Sequence, residues 1–167
     1  FSLFLFFVTI RDFFGKNINI SQKISHFGFS LLILSILLNG VLAKEHSSNM
    51  RVGDEIKFLD KIIQFQNIEV IKKQNYQTLI GKFNIVDENN SLSLKPEIRI
   101  YDQPQTITSE ADISSTIFAD NFLVFNIIKN DGFYNVRYQI KPFMIWIWIS
   151  VLLISLGGIL SLKKKNV

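Results

Sequence analysis

Two uninterrupted apolar stretches, residues 24–43 and 143–162, bracket a long central region in which apolar and polar residues alternate. Each stretch is 20 residues long. At roughly 1.5 Å per residue, each covers about 30 Å, the thickness of a bilayer's hydrocarbon core. Both predict transmembrane helices, the second introduced by Lys141-Pro142, so that the segment runs over 141–162. Residues 1–10 are equally apolar but span only about 15 Å. They lack the basic start and small-residue cleavage site of a signal peptide. Together with an initial Phe in place of Met, this predicts the end of a truncated third span. The chain is expected to be the C-terminal fragment of a larger membrane protein.

The centre has a different period. Residues 62–71 alternate apolar and polar for most of their length, and 76–86, 91–101, 116–128 and 133–140 are rich in β-branched and aromatic residues. Turn-type clusters separate them: 72–75, Asp87-Glu88-Asn89-Asn90 and Asn130-Asp131-Gly132. Alternation bounded by Asn, Asp and Gly is the strand and hairpin signal, and Asn130-Asp131-Gly132 predicts the clearest hairpin. Five to seven short strands over about 90 residues predict a small all-β sandwich or partly open barrel. The polar run 44–50 reads as a flexible exit from the membrane, and residues 104–115 as a longer loop or short helix. The fold class is thus a membrane protein, with transmembrane α-helices flanking a small extracytoplasmic all-β domain.

Composition adds orientation. The chain is 48% hydrophobic with 16 phenylalanines, and its apolar residues are concentrated rather than spread. Segment 44–140 holds 11 Lys and Arg against 13 Asp and Glu, a net −2, while the remainder carries +6, together the chain's +4. The positive remainder includes Arg11, Lys16 and Lys23 and the terminal Lys163-Lys164-Lys165. Basic residues flank the cytoplasmic or matrix ends of spans. The loop 11–23 and the tail 163–167 are therefore expected inside, and 44–140 outside. The basic pI near 9.3 reports topology, and no nucleic-acid-binding motif accompanies it. There are no cysteines, so no disulfide or thiol chemistry belongs to this chain.

One residue stands out chemically. His26 lies near the start of the first long apolar stretch. An ionisable side chain at membrane depth is costly and usually faces a partner, a cavity or a cofactor. Several readings stand side by side: a hydrogen bond to a neighbouring helix, solvation near the interface, a proton relay, or a metal or haem ligand, since imidazole is a standard axial ligand to haem iron. Ser30, one turn on, falls on roughly the same helix face. His46, in the polar run, reads as a solvated histidine. No HExxH, G-x-S-x-G, P-loop or dinucleotide fingerprint is present. Trp146 and Trp148 read as interfacial anchors. Ser150, Gly157 and Ser161 form a stripe of small residues that lets another helix approach closely. The uninterrupted spans give little support to a transporter.

Three stretches carry a resemblance. Ser25-His26-Phe27-Gly28 opens the first span. Lys95-Pro96-Glu97-Ile98-Arg99-Ile100-Tyr101 is followed by Thr108-Ser109-Glu110-Ala111. Tyr138-Gln139-Ile140-Lys141-Pro142-Phe143 runs into Trp146-Ile147-Trp148 and Leu156-Gly157-Gly158. No single motif is diagnostic, but in order and spacing the series resembles the C-terminal part of the cytochrome c maturation protein F family. That family is the haem lyase subunit of a multi-protein cytochrome c assembly pathway in bacterial or mitochondrial inner membranes.

The resemblance implies covalent attachment of haem to apocytochrome c on the outer face, in company with a haem chaperone and an apocytochrome-binding lyase subunit. It also implies a separate, internal haem b held by two membrane histidines, the second of which His26 matches. The family's tryptophan-rich outer segment, its flanking histidines and the first haem b ligand match nothing in this chain. Trp146 and Trp148 are not that segment, and His46 matches no family ligand. The fragment alone is not expected to be catalytic. The competing expectation is a non-catalytic, membrane-anchored β domain that docks partners in a membrane assembly.

Overall fold

The computed structural model describes residues 1–15, 19–88, 90–128 and 132–164. Lys16, Asn89, the Asn130-Asp131 part of the turn signal and Lys165 lie outside the described residues. In chain order the elements are α1 (Ser2–Phe14), α2 (Ile20–Leu42), β1 (Lys44–Met50), β2 (Glu55–Phe58), β3 (Lys61–Lys72), β4 (Tyr76–Val86), β5 (Ser91–Leu94), β6 (Glu97–Tyr101), β7 (Thr106–Glu110), β8 (Asp112–Ser115), β9 (Ala119–Ile127), β10 (Tyr134–Pro142) and α3 (Met144–Lys164). They form two compact units. One holds the three helices with the segment Ser115–Asp120, and the other comprises Lys44–Ser114 and Asn121–Ile140.

The β unit is a sandwich. One sheet runs β1-β10-β9-β8, and the other runs β2-β3-β4-β6-β7 with β5 also on β4. Its core gathers Met50, Ile63, Phe65, Phe83, Ile85, Leu94, Ile98, Leu123, Phe125, Val136 and Tyr138. The Phe65 and Phe83 rings stack at 4.3 Å, and Phe125 meets both edge-on at 6.1 and 5.7 Å. Aromatic pairs in these geometries add about 0.5–1.5 kcal/mol each beyond the area they bury. Gly81 makes room for them: a Cβ there would sit 2.7 Å from Phe83 Cε2 and 3.0 Å from Phe125 Cζ.

Several boundaries differ from the sequence expectation, each for a local reason. In β3, Ile63 and Phe65 point inward, yet Ile68 rather than Asn67 packs next against the core. A register shift between Phe65 and Asn67 inserts one extra residue and resets the parity of the alternation. The run 91–101 is two strands, broken at Lys95-Pro96 because proline has no N–H to donate. The expected loop or helix over 104–115 is mainly strand instead. β7 pairs with β6 from Glu97↔Glu110 to Tyr101↔Thr106, and β8 follows. Its Thr, Ser and acidic residues suit a sheet edge, where polar side chains face water.

The expected flexible exit 44–50 is likewise a strand. β1 pairs with β10 throughout, from Lys44↔Ile140 to Met50↔Tyr134. β9 and β10 are neighbours in their sheet, and Ile128 N donates to Phe133 O at 3.2 Å, while residues 129–131 of the expected hairpin lie outside the described residues. Ten strands thus stand among the described residues where five to seven were expected, because short polar edge strands carry little hydrophobic pattern.

In the helical unit, α2 packs against both α1 and α3. The loop expected over 11–23 is shorter: α1 continues to Phe14 and α2 begins at Ile20. Phe13 stays helical because its ring packs 6.0 Å from Phe27. α3 starts at Met144, since Phe143 takes a left-handed φ of 61° after Pro142. Residues 20–42 and 144–162 are long and apolar enough to cross a membrane.

Candidate functional site

Helix α2 has two unlike faces. Its buried positions are mostly small: Ser21, Gly28, Ser30 and Ser35, with Leu31 and Leu34. Small side chains let backbones approach, the usual basis of helix association in a lipid environment. The approach to α3 is close. A Cβ on Gly157 would lie 2.1 Å from Ser25 Oγ and 2.8 Å from both Ser21 O and Ser25 N. One on Gly28 would meet Leu153 Cβ at 3.0 Å and the Ile154 backbone N at 3.1 Å. Of the small-residue stripe expected on α3, Ser150 and Gly157 are buried and Ser161 is exposed.

Toward α1 the seam is aromatic and polar. Phe27 packs between Phe6, at 5.7 Å, and Phe13. Thr9 Oγ1 and Ser30 Oγ lie 2.6 Å apart. Each hydroxyl is also within 2.9 Å of a carbonyl one turn back on its own helix, Phe6 O and Phe27 O respectively. One hydroxyl donates across the seam while the other donates to its own helix. Ser30 is therefore committed to α1 and does not share the exposed face of His26, as its spacing suggested.

That opposite face carries Gln22, His26, Phe29, Ile36 and Gly40, all exposed and spaced three or four residues apart except where half-buried Ile33 intervenes. His26 is the seventh residue of α2, a turn further from the helix start than the apolar stretch alone indicated. It is exposed, and among the described residues none forms a hydrogen bond or ion pair with it. The hydrogen bond to a neighbouring helix that the sequence left open is not made within them. Neither does the chain assemble a closed metal site: among the described residues no three His, Cys, Asp or Glu side chains group as metal ligands.

The far ends of α2 and α3 are tied by hydrogen bonds that no hydrophobic pattern announces. Asn39 Nδ2 donates to Pro142 O at 2.6 Å. Phe143 N donates to Phe118 O at 2.8 Å, and Trp146 Nε1 donates to Ile117 O at 2.9 Å. Trp146 thus has a specific backbone partner, while Trp148 is exposed. From the sequence, Trp146 was legible only as an anchor.

In the sandwich, His46 departs from its reading as a freely solvated residue. It is half-buried in β1, its ring stacked 5.3 Å from Phe58, which meets Tyr138 edge-on at 6.0 Å. Tyr138 donates its hydroxyl to Asn121 Oδ1 at 2.5 Å. Burial, and then the negative charges of Asp60 and Asp87, push its phenol well above the ordinary value near 10. On the same unit Arg99 lies 3.2 Å from Glu97 and 3.9 Å from Glu110. These groups are paired and structural; nothing in them gathers a nucleophile with a base.

Comparison with known proteins gives these features a family context. A family model described as the CcmF C-terminal beta-sandwich matches residues 41–142. A cytochrome c-type biogenesis protein CcmF of Pseudomonas aeruginosa is 25% identical over 146 residues, covering 87% of this chain and 22% of that protein. The cytochrome c-type biogenesis protein ccl1 of Rhodobacter capsulatus is 29% identical over 149 residues, with the same coverages. CcmF of Haemophilus influenzae is 26% identical over 164 residues, covering 96% of this chain and 25% of its own length. A solved structure, the cytochrome c heme lyase CcmF, superposes with a TM-score of 0.67 over 95% of this chain and 28% of its own, at 14% identity. The chain therefore spans about a quarter or less of the curated relatives it matches.

Proposed function

Since the chain belongs to the CcmF family of cytochrome c biogenesis proteins, through that family's C-terminal β-sandwich, we propose that it forms the C-terminal part of a haem lyase and lends His26 to an internal haem b. The observation that carries this reading is the bare histidine face of α2. An imidazole unpaired among the described residues, set on an apolar surface, is placed for a ligand held against a further helix. Both ring nitrogens are open, and Phe29, one turn on, offers an aromatic wall. These residues fit a haem edge. Bound there, haem supplies reversible one-electron redox chemistry tuned by its axial ligands and by burial. His26 would hold the iron of such a haem through an imidazole nitrogen, and the apolar face would exclude water. The second ligand comes from elsewhere in the longer protein.

The topology follows from charge. α2 and α3 cross a bacterial inner or mitochondrial inner membrane. Residues 11–23 and 163–167 face the cytoplasm or matrix, and 44–140 lie on the periplasmic or intermembrane-space side. His26 then sits toward the inner end of its span, across the membrane from where haem joins apocytochrome c. The sandwich takes a supporting role, docking the apocytochrome, the haem chaperone or the apocytochrome-binding subunit. Its paired charges favour protein contacts over a basic funnel for haem propionates.

The experiment is spectroscopic. Full-length protein is expected to purify with a low-spin haem spectrum that His26→Ala abolishes or weakens, while the protein still elutes as the folded species. An unchanged spectrum and haem content in His26→Ala would refute the assignment.

A further inference from the structure

The three helices enclose a second feature on the other side of α2. A half-open cleft of about 360 Å³ is lined wholly by apolar side chains: Ile10, Phe13, Phe14, Ile24, Phe27 and Leu153. Its volume falls at the lower end of the range typical of small-molecule sites, about 300–1,000 Å³. Its rim is basic. Arg11 follows Ile10 and lies one helical turn before Phe14, with its side chain 80% exposed and only a 3.4 Å contact to the neighbouring Asp12. Lys23, next to Ile24, donates its ammonium to Gly15 O just past the end of α1. The cleft is therefore greasy within and positive at one end, and that end is where both helices terminate.

We infer that this cleft holds one acyl chain of an anionic phospholipid, whose headgroup is met by Arg11 and Lys23. The inference rests on the reading that α2 crosses the membrane with its N-terminal end on the inner side. Lipid matches both halves of the site. A hydrocarbon tail satisfies walls that offer no polar group. An anionic headgroup suits basic side chains at a helix end in the inner leaflet, whose surface carries negative charge. The phenyl rings of Phe13 and Phe27, their centroids 6.0 Å apart, form one continuous apolar wall for the tail.

The test uses full-length protein in phosphatidylcholine nanodiscs doped with a phospholipid bearing a diazirine near the end of one acyl chain. Photolysis and peptide mass spectrometry then locate the label. With a phosphatidylglycerol probe, label is expected on residues 10–14 and 24–27, several-fold above that from a phosphatidylcholine probe. Replacing Arg11 and Lys23 together by Gln should remove most of that difference. Filling the cleft with Ile24→Trp should lower labelling by both probes. His26→Ala should leave it in place, which separates this inference from the haem assignment. Equal labelling by the two headgroups in unaltered protein, or no labelling at these residues, overturns it. So does a photo-crosslinker at residue 14 that captures another helix of the protein in place of lipid.

Discussion

Adjacent glycines on α3 should respond in opposite directions to the same substitution. Gly157 faces α2, where an added Cβ would lie 2.1 Å from Ser25 Oγ and 2.8 Å from Ser21 O and Ser25 N. Gly158 has nothing within 4 Å of the same atom. Alanine in place of glycine favours a helix by about 1 kcal/mol at either site. At Gly158 that gain is all there is, so Gly158→Ala should be neutral or stabilising by up to about 1 kcal/mol. At Gly157 the serine hydroxyl can rotate away, but two of the three contacts are to backbone atoms. The helices must separate by several tenths of an ångström. Overpacking of this kind costs about 1–3 kcal/mol, which offsets the helix gain and leaves Gly157→Ala destabilised by up to about 2 kcal/mol. Thermal midpoints in detergent, followed by size-exclusion chromatography of the folded species, give the ranking. Gly158→Ala should equal or exceed the unaltered protein, with Gly157→Ala below it. Combining Gly157→Ala with Ser25→Gly should recover only part of the loss. Equal midpoints for the two alanine variants would refute the close approach of α2 and α3.

Within the sandwich, Gly81→Ala places a methyl against the buried rings of Phe83 and Phe125. The expected cost is about 1–3 kcal/mol, read as faster proteolysis or hydrogen exchange in β4. Phe83→Ala removes the stacked partner of Phe65 and should cost about 3–5 kcal/mol, enough to expose the domain to limited proteolysis. The raised phenol of Tyr138 contributes stability that is complete below its unfolded value near 10 and is lost as pH rises through its higher folded value. Alkaline destabilisation should therefore steepen as pH rises from near 10 toward that higher folded value, and the difference in phenolate absorbance between wild type and Tyr138→Phe should show no ordinary titration while the fold persists.

What the sequence revealed depended on how strongly each element was marked. The two long helices were plain, because an apolar run of membrane length fits little else. β4 was bounded correctly at both ends, since 76–86 carries a full set of inward apolar residues: Leu79, Phe83 and Ile85 all pack in the core. β1, β7 and β8 were hidden for the opposite reason. Their polar side chains face outward, and what makes them strands is pairing with β10, β6 and β9, which no local pattern announces. His46 went the same way: once 44–50 is a strand opposite Tyr138, its ring turns toward Phe58. The conspicuous residue of the candidate site, His26, was legible from cost alone. Its companions were not, because whether Ser30 or Phe29 shares its face depends on where α1 packs.

The packing of α2 and the role proposed for His26 are linked through one helix. Among the described residues, Ser21, Ser25 and Gly28 approach α3 closely, and Phe27 and Ser30 meet α1. Fixing one face at backbone distance fixes the direction in which the opposite face points. A histidine that ligates a group held by another helix needs that fixity, since metal ligation tolerates little drift in distance or angle. The small residues then serve the site without touching it. If so, Gly157→Ala, which displaces α2 and leaves His26 chemically intact, should perturb the haem spectrum of the full-length protein in a direction that Gly158→Ala does not. Gly157→Ala lowering stability with no spectral change would instead mean that the imidazole is positioned by its own surroundings and the helix seam is structural alone.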